Sequence, residues 1–219
     1  MTDGIILIDK LTGMTSFGVV ARVRRVLSQQ AGRKVKVGHT GTLDPFATGL
    51  MILCIGNECR NAQKYTKLDK VYEATIWLGR TSSTGDPEGE IEHRSDVQPT
   101  PEQIKETLEK FVGDIKQTPP IYSAIKIGGK RAYHLAREGK EIEMPERTVT
   151  IHSLELLEYN YPELKIRTHV SSGTYIRSLA KDIGNSLGVG AYCTQLRRTA
   201  IADWTVAQAQ SLAELGITD

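Results

Sequence analysis

Val149-Thr150-Ile151-His152-Ser153-Leu154-Glu155-Leu156-Leu157 and Leu164-Lys165-Ile166-Arg167-Thr168-His169-Val170 stand on either side of Asn160-Tyr161-Pro162. Both runs are extended in character and the residues between them are turn formers, so the spacing predicts a strand pair over Val149–Leu157 and Leu164–Val170. Toward the C-terminus, Thr174–Leu187 reads as a helix ended by Gly188, and Thr205–Leu215 as a last amphipathic helix. Toward the N-terminus, Arg131–Glu138 reads as a helix stopped by Gly139, and Ile121–Ile127 as extended. Thr100, Pro101 and Gly113 bracket a helix bearing Ile104, Leu108, Phe111 and Val112. Val71–Leu78 alternates, with Tyr72, Ala74, Ile76 and Leu78 on one side of a strand, and Leu50–Ile55 reads as a buried strand. Ser16 is placed to cap a helix with Val19, Val20, Val23, Val26 and Leu27 on one face, and Ile5–Ile8 is a short buried strand. Strands and helices are interspersed without a regular strand–helix–strand rhythm, which favours an α+β fold with a mixed or antiparallel sheet. No repeat, low-complexity segment or linker interrupts the chain, so residues 1–219 read as one domain.

Composition narrows the classes further. A chain of 219 residues can bury a sizeable core, and 39% hydrophobic with 25% charged residues excludes bulk disorder. The net charge of +2 says little, but its distribution says more. Seven cations (Lys10, Arg22, Arg24, Arg25, Arg33, Lys34, Lys36) and no acid lie between Lys10 and Leu43, whereas acids dominate from Glu88 to Asp114. Either one face is electropositive and suits a polyanion, or two solvated surfaces carry opposite signs. Cys54, Cys59 and Cys193 cannot all pair and none sits in a Cys-x-x-Cys spacing, so reduced cytosolic thiols are expected and a zinc site is not. Met1–Lys10 is too short and too charged for a signal peptide, and no apolar run approaches the roughly 20 residues of a membrane span. The expectation is a soluble, cytoplasmic protein without a membrane partner.

The segment Gly38-His39-Thr40-Gly41-Thr42-Leu43-Asp44-Pro45-Phe46-Ala47-Thr48-Gly49 is the most unusual in the chain. Its glycines permit close backbone approach to a ligand, and Pro45 biases Asp44 toward an extended conformation that fixes the direction of its carboxylate. It is no phosphate-binding P-loop, since the Gly-Lys-Ser/Thr ending is absent. Asp44 is therefore either a chemical group on a shaped loop or a turn aspartate bonded to its own backbone. His39 is either incidental or able to stack on an unpaired base. Ser171–Leu179 crosses from strand to helix, where Arg177 would fork onto an anion or else sit idle at the surface. Tyr72 is by base rate a core residue, and Arg197-Arg198 by default a solvated pair. No Ser-His-Asp or Cys-His arrangement, metal cluster or dinucleotide fingerprint can be assembled, which leaves a cofactor-free reaction using one carboxylate.

Taken in order, these blocks resemble the TruB family of transfer-RNA pseudouridine synthases. The likeness covers Gly4–Lys10 with Gly13-Met14-Thr15-Ser16, the Gly38–Gly49 segment, Lys70-Val71-Tyr72 and Tyr122-Ser123-Ala124-Ile125-Lys126. It continues through Gly129-Lys130-Arg131-Ala132-Tyr133 and Gly173-Thr174-Tyr175-Ile176-Arg177 to Leu196-Arg197-Arg198. The resemblance implies a pseudouridine-synthase-like catalytic domain: a mixed, largely antiparallel sheet flanked by helices. It also implies isomerisation of a T-loop uridine of tRNA, conventionally position 55, with no metal or cofactor. By the same resemblance Asp44 is the catalytic aspartate, Arg177 pairs with it, Tyr72 lies against the target base and His39 occupies space near it. Thr42, Tyr175 and Leu196 would complete the substrate site, and Arg22 and Arg25 would contact the RNA backbone. Bacterial members usually carry a PUA module after the catalytic domain, so the chain reads as a short form lacking it. The expected partner is the tRNA T-arm, with no obligate protein partner and a monomeric state.

Overall fold

The computed structural model describes residues 3–123, 125–139 and 142–217. Ala124 of the Tyr122–Lys126 block, and the ends of the 1–219 range, lie outside them. In chain order the elements are β1 (Gly4–Lys10), α1 (Ser16–Ala31), β2 (Val37–His39), β3 (Thr48–Ile55), α2 (Ala62–Thr66) and β4 (Lys70–Leu78). There follow β5 (Arg80–Ser82), β6 (Ile91–His93), α3 (Pro101–Glu109), β7 (Gly113–Gln117), β8 (Lys126–Ile127), β9 (Lys130–Arg131) and α4 (Ala132–Arg137). The last are β10 (Arg147–Asn160), β11 (Glu163–Val170), α5 (Ile176–Ser186), β12 (Ala191–Ile201) and β13 (Trp204–Thr205). The architecture is α+β, as the sequence predicts. Two compact units make it up, Met1–Tyr72 with Arg197–Asp219, and Glu73–Leu196. The division falls inside β4 and β12.

In the first unit β1 pairs antiparallel with β3, and β3 pairs parallel with the Arg197–Arg198 stretch of β12, so the sheet is mixed. β3 is buried along almost its whole length because its run Leu50–Ile55 has no polar side chain to turn outward. Leu50, Ile52 and Ile201 form a core cluster on which Trp204, Val206 and Ala209 pack. This packing explains why Thr205–Leu215 is not the amphipathic helix predicted. Gln210 pairs in extended form with β1, its N–H donating to the Leu7 carbonyl while its carbonyl accepts from Asp9 N–H. Only Val206–Gln208 makes a single helical turn. Tertiary pairing overrides local periodicity here.

The helix α1 is capped one residue earlier than expected. Thr15 accepts from Gly18 N–H as the N-cap, which frees Ser16 for a longer-range task described below. Val19, Val20 and Val23 fill the buried face, and Gly32 ends the helix in the left-handed region.

In the second unit β10 lies between β11 and β7, antiparallel to both. The predicted strand pair is therefore present, extended at both ends. Helix α3 starts at a capping box made by Thr100 and Gln103 and stops at Glu109. Gly113 does not cap it but opens β7. Among the described residues of the 121–127 run only Lys126–Ile127 pairs as a strand, with Lys130–Arg131, so the extended run expected there is shorter. β12, which has no counterpart among the predicted elements, is 11 residues long.

Candidate active site

Chain geometry around Asp44 follows from grips at four places, α1, β1, the loop after β1, and β12. The Ser16 hydroxyl, 3% exposed, donates to the Leu43 carbonyl and accepts from Leu43 N–H, both at 2.8 Å. Both backbone groups of the residue before Asp44 are thereby satisfied by one side chain. Next comes a turn, Asp44-Pro45-Phe46-Ala47, closed by Ala47 N–H donating to the Asp44 carbonyl at 3.1 Å. Pro45 sits at its second position, where a fixed φ is pre-set for such a turn. The turn is held from β1 and the following loop: Lys10 Nζ donates to the carbonyls of Leu11 (3.0 Å), Pro45 (3.2 Å) and Ala47 (2.5 Å). Gly13 N–H donates to the Pro45 carbonyl, and Thr12 Oγ1 to that of Phe46.

The fourth grip comes from β12. Arg198, 1% exposed, donates from Nε to the Leu50 carbonyl at 2.7 Å and from a terminal nitrogen to the Gly41 carbonyl at 3.2 Å. A buried guanidinium is tolerable when fixed acceptors surround it. The same packing explains Gly49, at φ +105°, where an added Cβ would lie 2.3 Å from the Arg198 carbonyl oxygen. Arg197 instead pairs with Asp9, at 2.7 Å. The two adjacent arginines are thus part of the scaffold rather than a solvated pair. Asp44 itself is half-buried at the apex, Thr42 is exposed, and His39 is half-buried at the end of β2. Tyr72 is buried on β4, while Arg22 is half-buried and Arg25 exposed on α1. Lys70, two residues before Tyr72, is also buried, its Nζ donating to the carbonyls of Thr66 and Leu68. Burial, and then the charge of Arg198, push its pKa down to about 8.

The second unit carries the other predicted residues. Tyr175 N–H donates to Gln117 Oε1 at 2.7 Å, and Gln117 Nε2 returns a bond to the Tyr175 carbonyl at 3.1 Å. The buried amide of Gln117 therefore fixes the entry to α5. The Arg147 guanidinium lies 4.9 Å from the centre of the Tyr175 ring, a cation–π contact. Arg177 is not a surface arginine. One terminal nitrogen donates to Asp86 Oδ2 and to the Thr84 carbonyl, both at 2.9 Å, and the other to the Tyr122 carbonyl at 2.7 Å. Asp86 is held in turn by Thr84 Oγ1 at 2.6 Å and Glu88 N–H at 3.0 Å. Leu196 is buried on β12.

So the structure brings Asp44, Thr42 and His39 onto one clamped loop, and Tyr175 with Arg177 onto one helix start. Sequence reasoning missed Lys10, Ser16, Arg198, Gln117 and Asp86, the residues that hold these positions. One signal was available for Asp86: Asp86-Pro87, between Gly85 and Gly89, repeats the Asp-Pro step of the Asp44 loop.

Known proteins resemble this chain along nearly its whole length. The N-terminal domain of the TruB family pseudouridylate synthases matches residues 24–176. A protein of Azoarcus sp. (strain BH72) named tRNA pseudouridine synthase B is 46% identical over 98% of this chain and 70% of its own length. Its namesake in Phocaeicola vulgatus is 45% identical over 91% of this chain and 86% of its own. Among solved structures, one of a Cbf5-Nop10-Gar1 complex superposes with a TM-score of 0.75 at 30% identity. It covers 97% of this chain, which spans about half (53%) of the solved one. A structure of an H/ACA RNP bound to a substrate RNA gives a TM-score of 0.71 at 28% identity, covering 97% of this chain and 52% of that one. With the Asp44 loop built as described and relatives of this identity along nearly its whole length, the chain belongs to the TruB family of pseudouridylate synthases.

Proposed function

We propose that the chain isomerises uridine to pseudouridine in the T-loop of transfer RNA. The observation that carries this reading is the Asp44 turn, a carboxylate at the apex of a loop held by Lys10, Ser16, Gly13 and Arg198. A group prepositioned in this way spends little reorganisation at the moment of reaction. The relatives' shared name, tRNA pseudouridine synthase B, supplies the substrate. In the reaction the N1–C1′ bond of uridine breaks, the uracil turns, and a C5–C1′ bond forms. The proton on C5 is released and N1 takes one up, so neither redox change nor added group is needed. The base must leave the stack to turn, which requires a pocket for a flipped nucleotide.

In this reading Asp44 acts on the nucleotide. Arg177, itself held by Asp86, is the residue that the family resemblance assigns as partner to that carboxylate. Tyr72 lies against the uracil, with His39, Thr42, Tyr175 and Leu196 around it. Arg22 and Arg25 meet backbone phosphates, on a stretch free of acids. The enzyme works as a cytoplasmic monomer on free tRNA, without cofactor or obligate protein partner. Nop10 and Gar1 belong to the solved neighbour's complex, whereas the relatives at 43–46% identity are named for tRNA. Among the described residues no helix is long and apolar enough to cross a membrane. The test is release of tritium from [5-³H]uridine in unmodified tRNA. Catalytic release from wild type is expected, and its absence with a folded, tRNA-binding protein would sink the reading.

A further inference from the structure

Phe17 lies in the first turn of α1 and leaves 64% of its surface in water, although a ring of that size would stabilise the fold if buried. The Arg24 guanidinium lies over the ring, 5.8 Å from its centre. The first turn of α1 holds no acid, and none occurs anywhere from Lys10 to Leu43. Leu11, on the turn before the helix, is exposed as well. The location matters more than the exposure. Ser16, the neighbour of Phe17, binds both backbone groups of Leu43, and Gly13 and Thr12 bind the carbonyls of Pro45 and Phe46. The ring is therefore built onto the same rigid scaffold that presents Asp44.

An open aromatic face beside a cation, on a stretch of chain without acidic residues, matches one chemistry well. A nucleobase stacks on the ring while its phosphate meets the guanidinium, and every base has a π-face to offer. We propose that Phe17, backed by Arg24, is a stacking platform for an unpaired base of the substrate RNA close to the target uridine. Phe17 would then be a specificity residue, selecting RNA in which a second nucleotide near the target is also unpaired. The inference rests on RNA being the substrate and adds where a second base is held.

The test compares wild type, Phe17→Ala and Phe17→Tyr by fluorescence anisotropy, using an unmodified T-arm hairpin and a fully paired RNA duplex of equal length. Removing one base stack weakens hairpin binding by roughly ten- to a hundredfold in the Ala variant. The Tyr variant, which keeps the ring, stays within about threefold of wild type. Duplex binding should not distinguish the three proteins. The slope of log affinity against log salt should not change either, because every cation that meets a phosphate is still in place. An Ala variant within about twofold of wild type on the hairpin overturns the proposal. So does a Tyr variant as weak as Ala, or equal losses on hairpin and duplex. Circular dichroism and Tm check the fold, which has little at stake in so exposed a ring. Tritium release by wild type is measured separately, so a failed activity reading and a failed stacking site give different patterns.

Discussion

Arg177→Lys keeps the charge of the α5 arginine and removes its fork. The two terminal nitrogens of Arg177 reach three acceptors, Asp86 Oδ2 and the Thr84 carbonyl at 2.9 Å and the Tyr122 carbonyl at 2.7 Å. A lysine ammonium is one nitrogen on a different stem and cannot occupy both positions, so at least one acceptor is left without its donor. The side chain is 4% exposed and that of its partner Asp86 5%, which leaves little room for water to substitute. Removing a charge-assisted hydrogen bond in such a place costs about 1.5–3 kcal/mol. For a chain of this length that lowers Tm by roughly 3–12 °C. If the same interaction is expressed in the transition state, the rate falls by about one to two orders of magnitude. Tritium release under single-turnover conditions with saturating enzyme isolates the chemical step from tRNA binding. A double-mutant cycle with Asp86→Asn should give a coupling of about 0.5 kcal/mol or more. A Lys variant within about twofold of the wild-type rate, with unchanged Tm, would refute the role assigned to the fork.

Asp44→Asn should abolish tritium release while tRNA affinity stays close to wild type, since affinity comes mainly from phosphate contacts; substantial residual turnover would remove Asp44 from its role. Replacing Arg22 and Arg25 with alanine should flatten the salt slope of binding by roughly 0.7 to 0.9 for each phosphate no longer neutralised, and an unchanged slope would make them a solvated helix face. Lys70, with its pKa pushed down to about 8 from the usual 10.5, holds fewer protons in the folded than in the unfolded chain between those values. Stability therefore rises with pH across that window, and Tm profiles of wild type and Lys70→Met should diverge there; parallel profiles would argue against a buried, desolvated ammonium. Gly49→Ala should destabilise by at least about 1–3 kcal/mol through backbone strain alone, with the Arg198 clash added, and a Tm equal to wild type would contradict the close packing of β3 on β12.

Elements governed by local chemistry were legible in the sequence. Helix α1 shows a valine stripe and a terminal glycine, α3 a Thr-Pro start, and β10 and β11 a turn between two extended runs. The Asp44 loop stood out because its glycines and Asp-Pro step lie together. What stayed hidden depends on partners distant in the chain. Arg197-Arg198 looks like a hydrophilic break, so β12 could not be read as a strand without knowing that Asp9 and the carbonyls of Gly41 and Leu50 absorb both charges. Thr15 and Ser16 are equally good caps by composition, and only Leu43 decides between them. The tail fits a helical period, yet the edge of β1 claims the backbone of Gln210. Asp86 sits in a polar turn that reads as surface until Arg177 is placed beside it.

The grip of Arg198 on Gly41 and Leu50 spans 157 and 148 positions of sequence. A ribosome adding about 5–20 residues per second finishes the loop on the order of ten seconds before it supplies that arginine. During that interval the nascent chain owns every residue from Gly38 to Gly49, and the grips of Lys10, Thr12, Gly13 and Ser16, but not the one from Arg198. Polypeptides stalled short of Arg198 would present the full motif to an antibody or a mass spectrometer and still lack the grip on Gly41 and Leu50 that flanks Asp44. The last grip thus arrives late in synthesis, timed by a residue that holds the Gly41 carbonyl and packs its backbone on Gly49.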